Sequence, residues 1–184
     1  MASWDGRTLL TTARLTLRTF RRDDLPLYAE LNRDPEVYRW LGGEPIPREW
    51  SDEIAEWAND CVEADGFGLV AVERTEDGAF LGMCGLHHQE SFPDDVEAAW
   101  RLAAPHWGHG YATEAARAWL AHGFDVVGLD RIISTTDRDN LRSQAVMARL
   151  GMHYERDVRM VDSGQEFDAV LWSVTADQRR RAPD

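Results

Sequence analysis

Gly108 and Gly110 stand in the run His106-Trp107-Gly108-His109-Gly110-Tyr111-Ala112-Thr113-Glu114-Ala115-Ala116, and a helical pattern starts directly after them. Before the run, Val96–Leu102 reads as a strand. After it, Ala112, Ala115, Ala116, Trp119, Leu120 and Gly123 recur at helical spacing and mark a core face. A strand, a glycine turn and a helix start gather free backbone N–H groups at one point. Those donors and the helix dipole suit a phosphate or pyrophosphate. The glycines allow close backbone approach and φ values that a Cβ would forbid. The turn is not a P-loop, because no Gly-Lys-Ser/Thr ends it. It is not a dinucleotide fingerprint either, because the third glycine is missing.

Other reactive side chains give little. Cys61 and Cys84 form neither a disulfide framework nor a metal spacing, and they read as reduced packing thiols. His106 and His109 are three apart and His87-His88 are adjacent, but no zincin-type spacing with a glutamate exists, so no metal is expected. The formal net charge of −13 disfavours nucleic-acid binding. It favours cationic partners such as amines and basic peptides, or simply keeps the chain soluble. No apolar run is long enough for a membrane helix and no signal pattern opens the chain, so a cytoplasmic protein without a membrane partner is expected. Arg179-Arg180-Arg181 reads as a solvated end.

The elements that must position the glycine turn follow from the chain in order. Met1–Thr12 shows no clear pattern. Arg14–Phe20 alternates as a strand. Asp23 and Asp24 supply cap chemistry for a short helix with Leu27, Tyr28 and Leu31, and Val37, Tyr38 and Leu41 make a second. Pro47 opens a third, with Trp50, Ile54, Trp57 and Cys61 along a stripe expected to face the core. Phe67–Glu73 and Ala79–Leu86 are strands joined at Asp77-Gly78. Gln89–Asp95 reads as a polar loop. After the glycine-turn helix, which ends around Gly123–Gly128, come a strand (Arg131–Thr136), a helix (Asn140–Leu150) closed by Gly151, and a hairpin (Met152–Met160, Phe167–Val174). This predicts a single α/β domain over 1–184, with a core from about residue 14 to 174 and a mixed sheet with helices on its faces.

With these elements in place, Trp107-x-x-Gly110-x-Ala112 resembles the (Gln/Arg)-x-x-Gly-x-(Gly/Ala) acyl-CoA loop of the GNAT superfamily of N-acyltransferases. The run from Trp107 to Ala115 resembles the branch containing the RimJ and RimL ribosomal-protein acetyltransferases. Trp107 departs from the family's Gln or Arg. Asn140-x-x-Ser143-x-x-Val146-x-x-x-Leu150-Gly151-Met152 resembles the helix that the family sets beside the pantetheine arm. The likeness spans Arg14 to Val174. It implies a central, mostly antiparallel sheet with a splayed parallel strand pair. It also implies transfer of an acetyl group from acetyl-CoA to a primary amine, such as a protein N-terminal amine, without an acyl-enzyme. A small amine (polyamine, amino acid or antibiotic) and a non-catalytic acyl-CoA sensor are the alternatives. A homodimer stays open.

The resemblance also suggests roles. Main chain at Leu102 and Ala103 would pair with pantetheine, and the N–H groups of Trp107, Gly108, His109, Gly110, Tyr111, Ala112 and Thr113 would hold the pyrophosphate. Tyr111 also reads as a packing residue. Asn140 and Ser143 would sit near the ligand, although Asn140 is equally a helix cap. Glu97, which shares a strand face with Ala99 and Arg101, is the candidate base, with Asp94 and Asp95 as competitors. Ser143 is the candidate proton donor to the thiolate, or a cofactor ligand only. The tyrosine that many members use for this step is replaced by Met147. The acceptor would enter past Val37–Leu41 and Gln89–Asp95, with His87 and His88 at its wall.

Overall fold

The computed structural model describes residues 3–162 and 165–181. Eight strands form one sheet in the order β1-β2-β3-β4-β5-β6-β8-β7. They are β1 (Thr8–Thr11), β2 (Leu15–Arg18), β3 (Leu69–Arg74), β4 (Phe80–Gln89), β5 (Phe92–Leu102), β6 (Arg131–Asp137), β7 (His153–Asp162) and β8 (Gln165–Thr175). Every neighbouring pair is antiparallel except β5 and β6. That parallel pair needs a crossover, which helix α4 (Tyr111–His122) supplies. The implied mixed α/β sheet with one parallel pair is the observed one.

Strand alternation sorts the core into two layers. Val70 and Val72 of β3 join Ala115, Ala116, Trp119 and Leu120 of α4 and Met147 of α5 (Leu141–Arg149). Leu69 and Ala71, one residue out of phase, join Tyr28 and Leu31 of α1 (Asp24–Asn32), Val37 of α2 (Pro35–Tyr38) and Ala55 and Ala58 of α3 (Arg48–Asp65). The sheet is therefore covered on both faces. Among the described residues no helix is long and apolar enough to cross a membrane.

Four local expectations change. The stretch read as patternless contains β1, an edge strand paired to β2; four residues with two threonines give too short an alternation to recognise. The supposed loop Gln89–Asp95 is mostly strand: Gln89 pairs with Phe92, so only Glu90 and Ser91 turn. Its polarity reflects exposure of the hairpin tip, not loss of pairing. The basic tail forms α6 (Ala176–Arg181), and Arg179 reaches Asp125 at 2.7 Å.

The fourth change concerns α3. Its buried residues are Ser51, Ala55, Ala58 and Val62, each one position beyond a residue of the Trp50-Ile54-Trp57-Cys61 stripe, and Asn59. Small side chains let the helix approach the sheet, and the two polar ones are satisfied there. Asn32 donates to Ser51 Oγ at 2.8 Å, and Asn59 Oδ1 accepts from Phe20 N–H at 2.8 Å. Trp50 and Trp57 are left 51% and 44% exposed.

Candidate active site

The parallel pair is short. Only Val96–Ile132 and Glu97–Ile133 are in register, and beyond them β5 and β6 part. Side chains replace the missing rungs. Thr135 donates its N–H to Glu97 Oε1 at 2.7 Å and its hydroxyl to the same oxygen at 2.6 Å. Ser134 Oγ donates to Ala98 O at 2.8 Å. Glu97 is thus a wedge at the apex of the opening, and its side chain takes a donor that a continuing ladder would have used.

Past the apex, alternation turns the main chain of Ala98, Trp100 and Leu102 towards β6 and that of Arg101 and Ala103 towards β4. The bonds agree. Ala103 N–H donates to Leu81 O at 2.9 Å, so Ala103 faces the closed side and offers no group to the opening. Leu102 O accepts the Trp107 indole N–H at 2.7 Å. The edge left for a ligand is centred on Trp100, a residue the sequence did not single out.

At the wide end of the opening the chain makes a 3-10 turn (Ala104–His106) and then the glycine turn. Gly108 and Gly110 have φ of +80° and +81°, a region that disfavours other residues. A Cβ on Gly108 would meet no protein atom within 4 Å, so this face is open. Gly110 caps α4, and the first N–H groups of that helix have no intrahelical partner. Among the described residues the N–H groups of Gly108, His109 and Gly110 have no acceptor, whereas Trp107 N–H donates to Ala104 O at 3.1 Å. The donor nest therefore runs from Gly108 to Thr113, without Trp107. Tyr111 is buried beneath the Arg14 guanidinium, 4.6 Å from its ring centre, in the packing role.

Cations rim this mouth: Arg14, Arg117, Arg142 and Arg149 all line the cleft. Arg14 is fixed by Glu114 at 2.6 Å and donates to His109 O at 3.1 Å. Burial raises the Glu114 proton affinity, but Thr12 and Arg14 outweigh it and hold the carboxyl low. Arg142 lies 5.1 Å from the centre of the Trp107 ring. His106 is held below its usual value by burial first and by Arg74 and His109 next. Asn140 and Ser143 line the same wall. Asn140 caps α5, its Oδ1 accepting Ser143 N–H at 3.1 Å, so the capping role is real. The Ser143 hydroxyl has no partner among the described residues.

The cleft continues past the apex to a second mouth on the α1–α3 face. Trp40, Trp50, Trp57, Glu44, Glu53 and Glu90 line it. Val37 and Leu41 also line it, as do His87 and His88. Glu97 is 4% exposed, yet it lines the cleft. Besides Thr135 it accepts from Gln89 Nε2 at 2.7 Å, and His87 Nε2 lies 3.5 Å away. Burial raises its proton affinity, but the donors, His87 foremost, outweigh this and hold the carboxyl below its ordinary value. Glu97 is therefore ionised, rigid and fully bonded. Asp95 pairs with Arg131 at 3.0 Å, and neither Asp94 nor Asp95 lines the cleft.

Neither cysteine lines the cleft. Burial pushes both thiols up, Cys84 strongly, and Cys61 is raised further by Asp65 and Asp60. A raised thiol is a poor nucleophile at neutral pH. Among the described residues no group of three His, Cys, Asp or Glu side chains is placed to hold a metal.

The description "Acetyltransferase (GNAT) domain" matches residues 14–153. The uncharacterized protein YkkB of Bacillus subtilis (strain 168) is 34% identical over 157 residues, covering 84% of this chain and 91% of that protein. The FsC-acetyl coenzyme A-N(2)-transacetylase of Aspergillus fumigatus is 30% identical over 182 residues, covering 92% of this chain and 77% of that one. A crystal structure of a GNAT-family acetyltransferase from Bacillus anthracis superposes with a TM-score of 0.79 at 22% identity, covering 91% and 98% of the two chains. The chain belongs to the GNAT acetyltransferase family and is an acyl-CoA-dependent acetyltransferase.

Proposed function

We propose that acetyl-CoA enters by the basic mouth, with its pyrophosphate on the N–H groups of Gly108 to Thr113. Its pantetheine would run along the free edge of β5 towards Glu97. The observation carrying this reading is the seam that stops at Glu97, because it leaves a main-chain edge open between the two mouths. The cofactor supplies the activated thioester. A primary amine arrives from the tryptophan-lined mouth and attacks the thioester carbonyl carbon. The new C–N bond forms as the C–S bond breaks, the thiolate takes a proton, and the ammonium proton passes to the protein or to water. Alignment of the two reactants across the apex supplies much of the rate.

Glu97, backed by His87, would be the proton-accepting side of the site. At neutral pH it is ionised, as a base must be, although its low proton affinity limits its pull. Ser143, whose hydroxyl has no partner among the described residues, would protonate the thiolate. The RimJ/RimL resemblance of Trp107–Ala115 makes a protein N-terminal amine the first acceptor to test.

The test is acetyl-CoA consumption, read as free thiol, against peptides with free N-termini, polyamines, amino acids and aminoglycosides. Thiol release with at least one class, and acetylated product by mass spectrometry, is expected. Tight acetyl-CoA binding with no release for any amine would leave a sensor instead. Ser143→Ala should lower saturated turnover with acetyl-CoA affinity nearly unchanged. Weakened affinity with intact turnover would assign Ser143 to binding alone.

A further inference from the structure

The sheltered arginines of this chain follow a rule with one exception. Arg18 is 2% exposed and pairs with Asp24 and Glu73 at 2.7 and 2.9 Å. Arg74 pairs with Asp77, Arg131 with Asp95 and Glu155, and Arg179 with Asp125. Each of these partly or wholly buried cations thus has a carboxylate, as the cost of desolvating a charge requires. Arg101 is half-buried as well, and among the described residues no carboxylate lies within 4.0 Å of it. Its Nη1 donates to neutral acceptors, Asn32 Oδ1 at 2.8 Å and Tyr28 Oη at 3.2 Å. Its Nε is buried and has no acceptor among the described residues.

The location gives this exception meaning. Arg101 lines the cleft, on the face of β5 shared with Glu97 and Ala99, opposite the pyrophosphate nest. Asn32, which orients it, is itself fully buried and held by Ser51 of α3, so the guanidinium sits on a rigid support. At roughly 3.3 Å per residue, Arg101 is about 7 Å along the strand from Ala99 and about 13 Å from Glu97, the apex towards which the proposed pantetheine runs. The acids of the second mouth, Glu44, Glu53 and Glu90, lie elsewhere on the cleft wall and leave Arg101 uncompensated.

We propose that Arg101 is a specificity-determining residue which binds a carboxylate of the acceptor, so that the acceptor class is an amine bearing a carboxylate a few bonds away, as in a free amino acid. This rests on the reading that the acceptor enters by the second mouth. An acceptor carboxylate would give the guanidinium the charged partner that every other sheltered arginine has, and Nη2 donates to no acceptor among the described residues.

The test uses pairs of ligands differing only in this charge: N-acetyl amino acids and their carboxamides, covering small, aromatic and basic side chains. Both members of a pair lack the free amine, so amine ionisation plays no part. Binding to the CoA-loaded protein is followed by calorimetry. At least one acid should bind tenfold or more tightly than its carboxamide. Arg101→Gln should bring that ratio to within twofold, and Arg101→Lys should keep part of it. The ratio is the readout because loss of the Asn32 and Tyr28 bonds would weaken both ligands alike. A ratio near one in the parent protein, a ratio unmoved by Arg101→Gln, or no binding by any acid would overturn the inference. Turnover separates it from the parent reading. Thiol release on amines without a carboxylate and none on amino acids would sink the inference and keep the acetyltransferase site as drawn. Carboxylate-dependent binding without thiol release from any amine would do the reverse.

Discussion

The two mouths of the cleft are built on different principles. The basic mouth is a backbone device: two left-handed glycines, a helix start and unpartnered N–H groups, with arginines as a rim. The second mouth is a side-chain device: three tryptophans, three glutamates and an arginine, contributed mostly by helices and loops before β3. A ligand shared by a whole family is suited to the first, because main-chain donors survive substitution of neighbouring side chains. An acceptor that differs between members is suited to the second, where each substitution changes what fits. Variants at the two mouths should accordingly separate acyl-donor binding from acceptor binding.

The largest effect belongs to the basic mouth. Gly110→Val places a β-branched residue at φ +81°, costing about 1–2 kcal/mol in backbone strain alone, and projects methyl groups beside the nest. Acetyl-CoA affinity by calorimetry should fall by at least ~100-fold, about 2.7 kcal/mol, with a circular dichroism spectrum close to the parent's. Unchanged affinity would remove the nest from the site.

Glu97→Gln lies between the mouths and should be intermediate. Turnover should fall by roughly 10²-fold, the scale of lost general-base help, with acetyl-CoA affinity nearly constant. The deficit should shrink as pH rises, because more of the amine is then neutral. Stability gives an independent check. The folded-state proton affinity of Glu97 is depressed, so its contribution is present above the ordinary value of 4.5 and is lost as pH falls through the depressed value. The parent should therefore lose stability more steeply below about pH 4.5 than the Gln variant does, as read by urea unfolding. Parallel curves would show that Glu97 is not held as described.

Trp57→Ala should be the mildest. The ring is 44% exposed and stands edge-on to His87 at 6.0 Å. Acceptor KM should rise about two- to fivefold, the equivalent of roughly 0.5–1 kcal/mol, while acetyl-CoA affinity stays within about twofold. A larger loss on the acetyl-CoA side would break the separation of the mouths.

The same division decides how much could be read in advance. The backbone device leaves a pattern, since glycines must sit where φ is positive and a helical period must follow, and Gly108, Gly110 and the α4 core face were all legible. The side-chain device leaves none. Trp50, Ile54 and Trp57 have the spacing of a core stripe, and only the small residues Ala55 and Ala58 packing one position away turn them to the cleft. Arg101 was visible on its strand face, but a missing carboxylate is a fact of three dimensions. Likewise, Trp107 N–H and Ala103 N–H are spent within the protein, on acceptors that only folding brings near. The short edge strand β1 and the exposed β4–β5 tip were lost because brief or solvated strands lack apolar alternation.

The seam at Glu97 has a thermodynamic side. Two register pairs and a few side-chain bonds are all that stitch β5 to β6, whereas β6 and β8 pair from Arg131 to Asp137 without interruption. An acyl donor seated as proposed would act as a removable strut across this gap, bonded to both leaves of the sheet. Whatever binds only the folded chain stabilises it, by about 2.7 kcal/mol when present at one hundred times its dissociation constant. The lifetime of this enzyme against proteolysis would then follow the local supply of its own acyl donor, so that scarcity of the substrate thins the catalyst as well as slowing it.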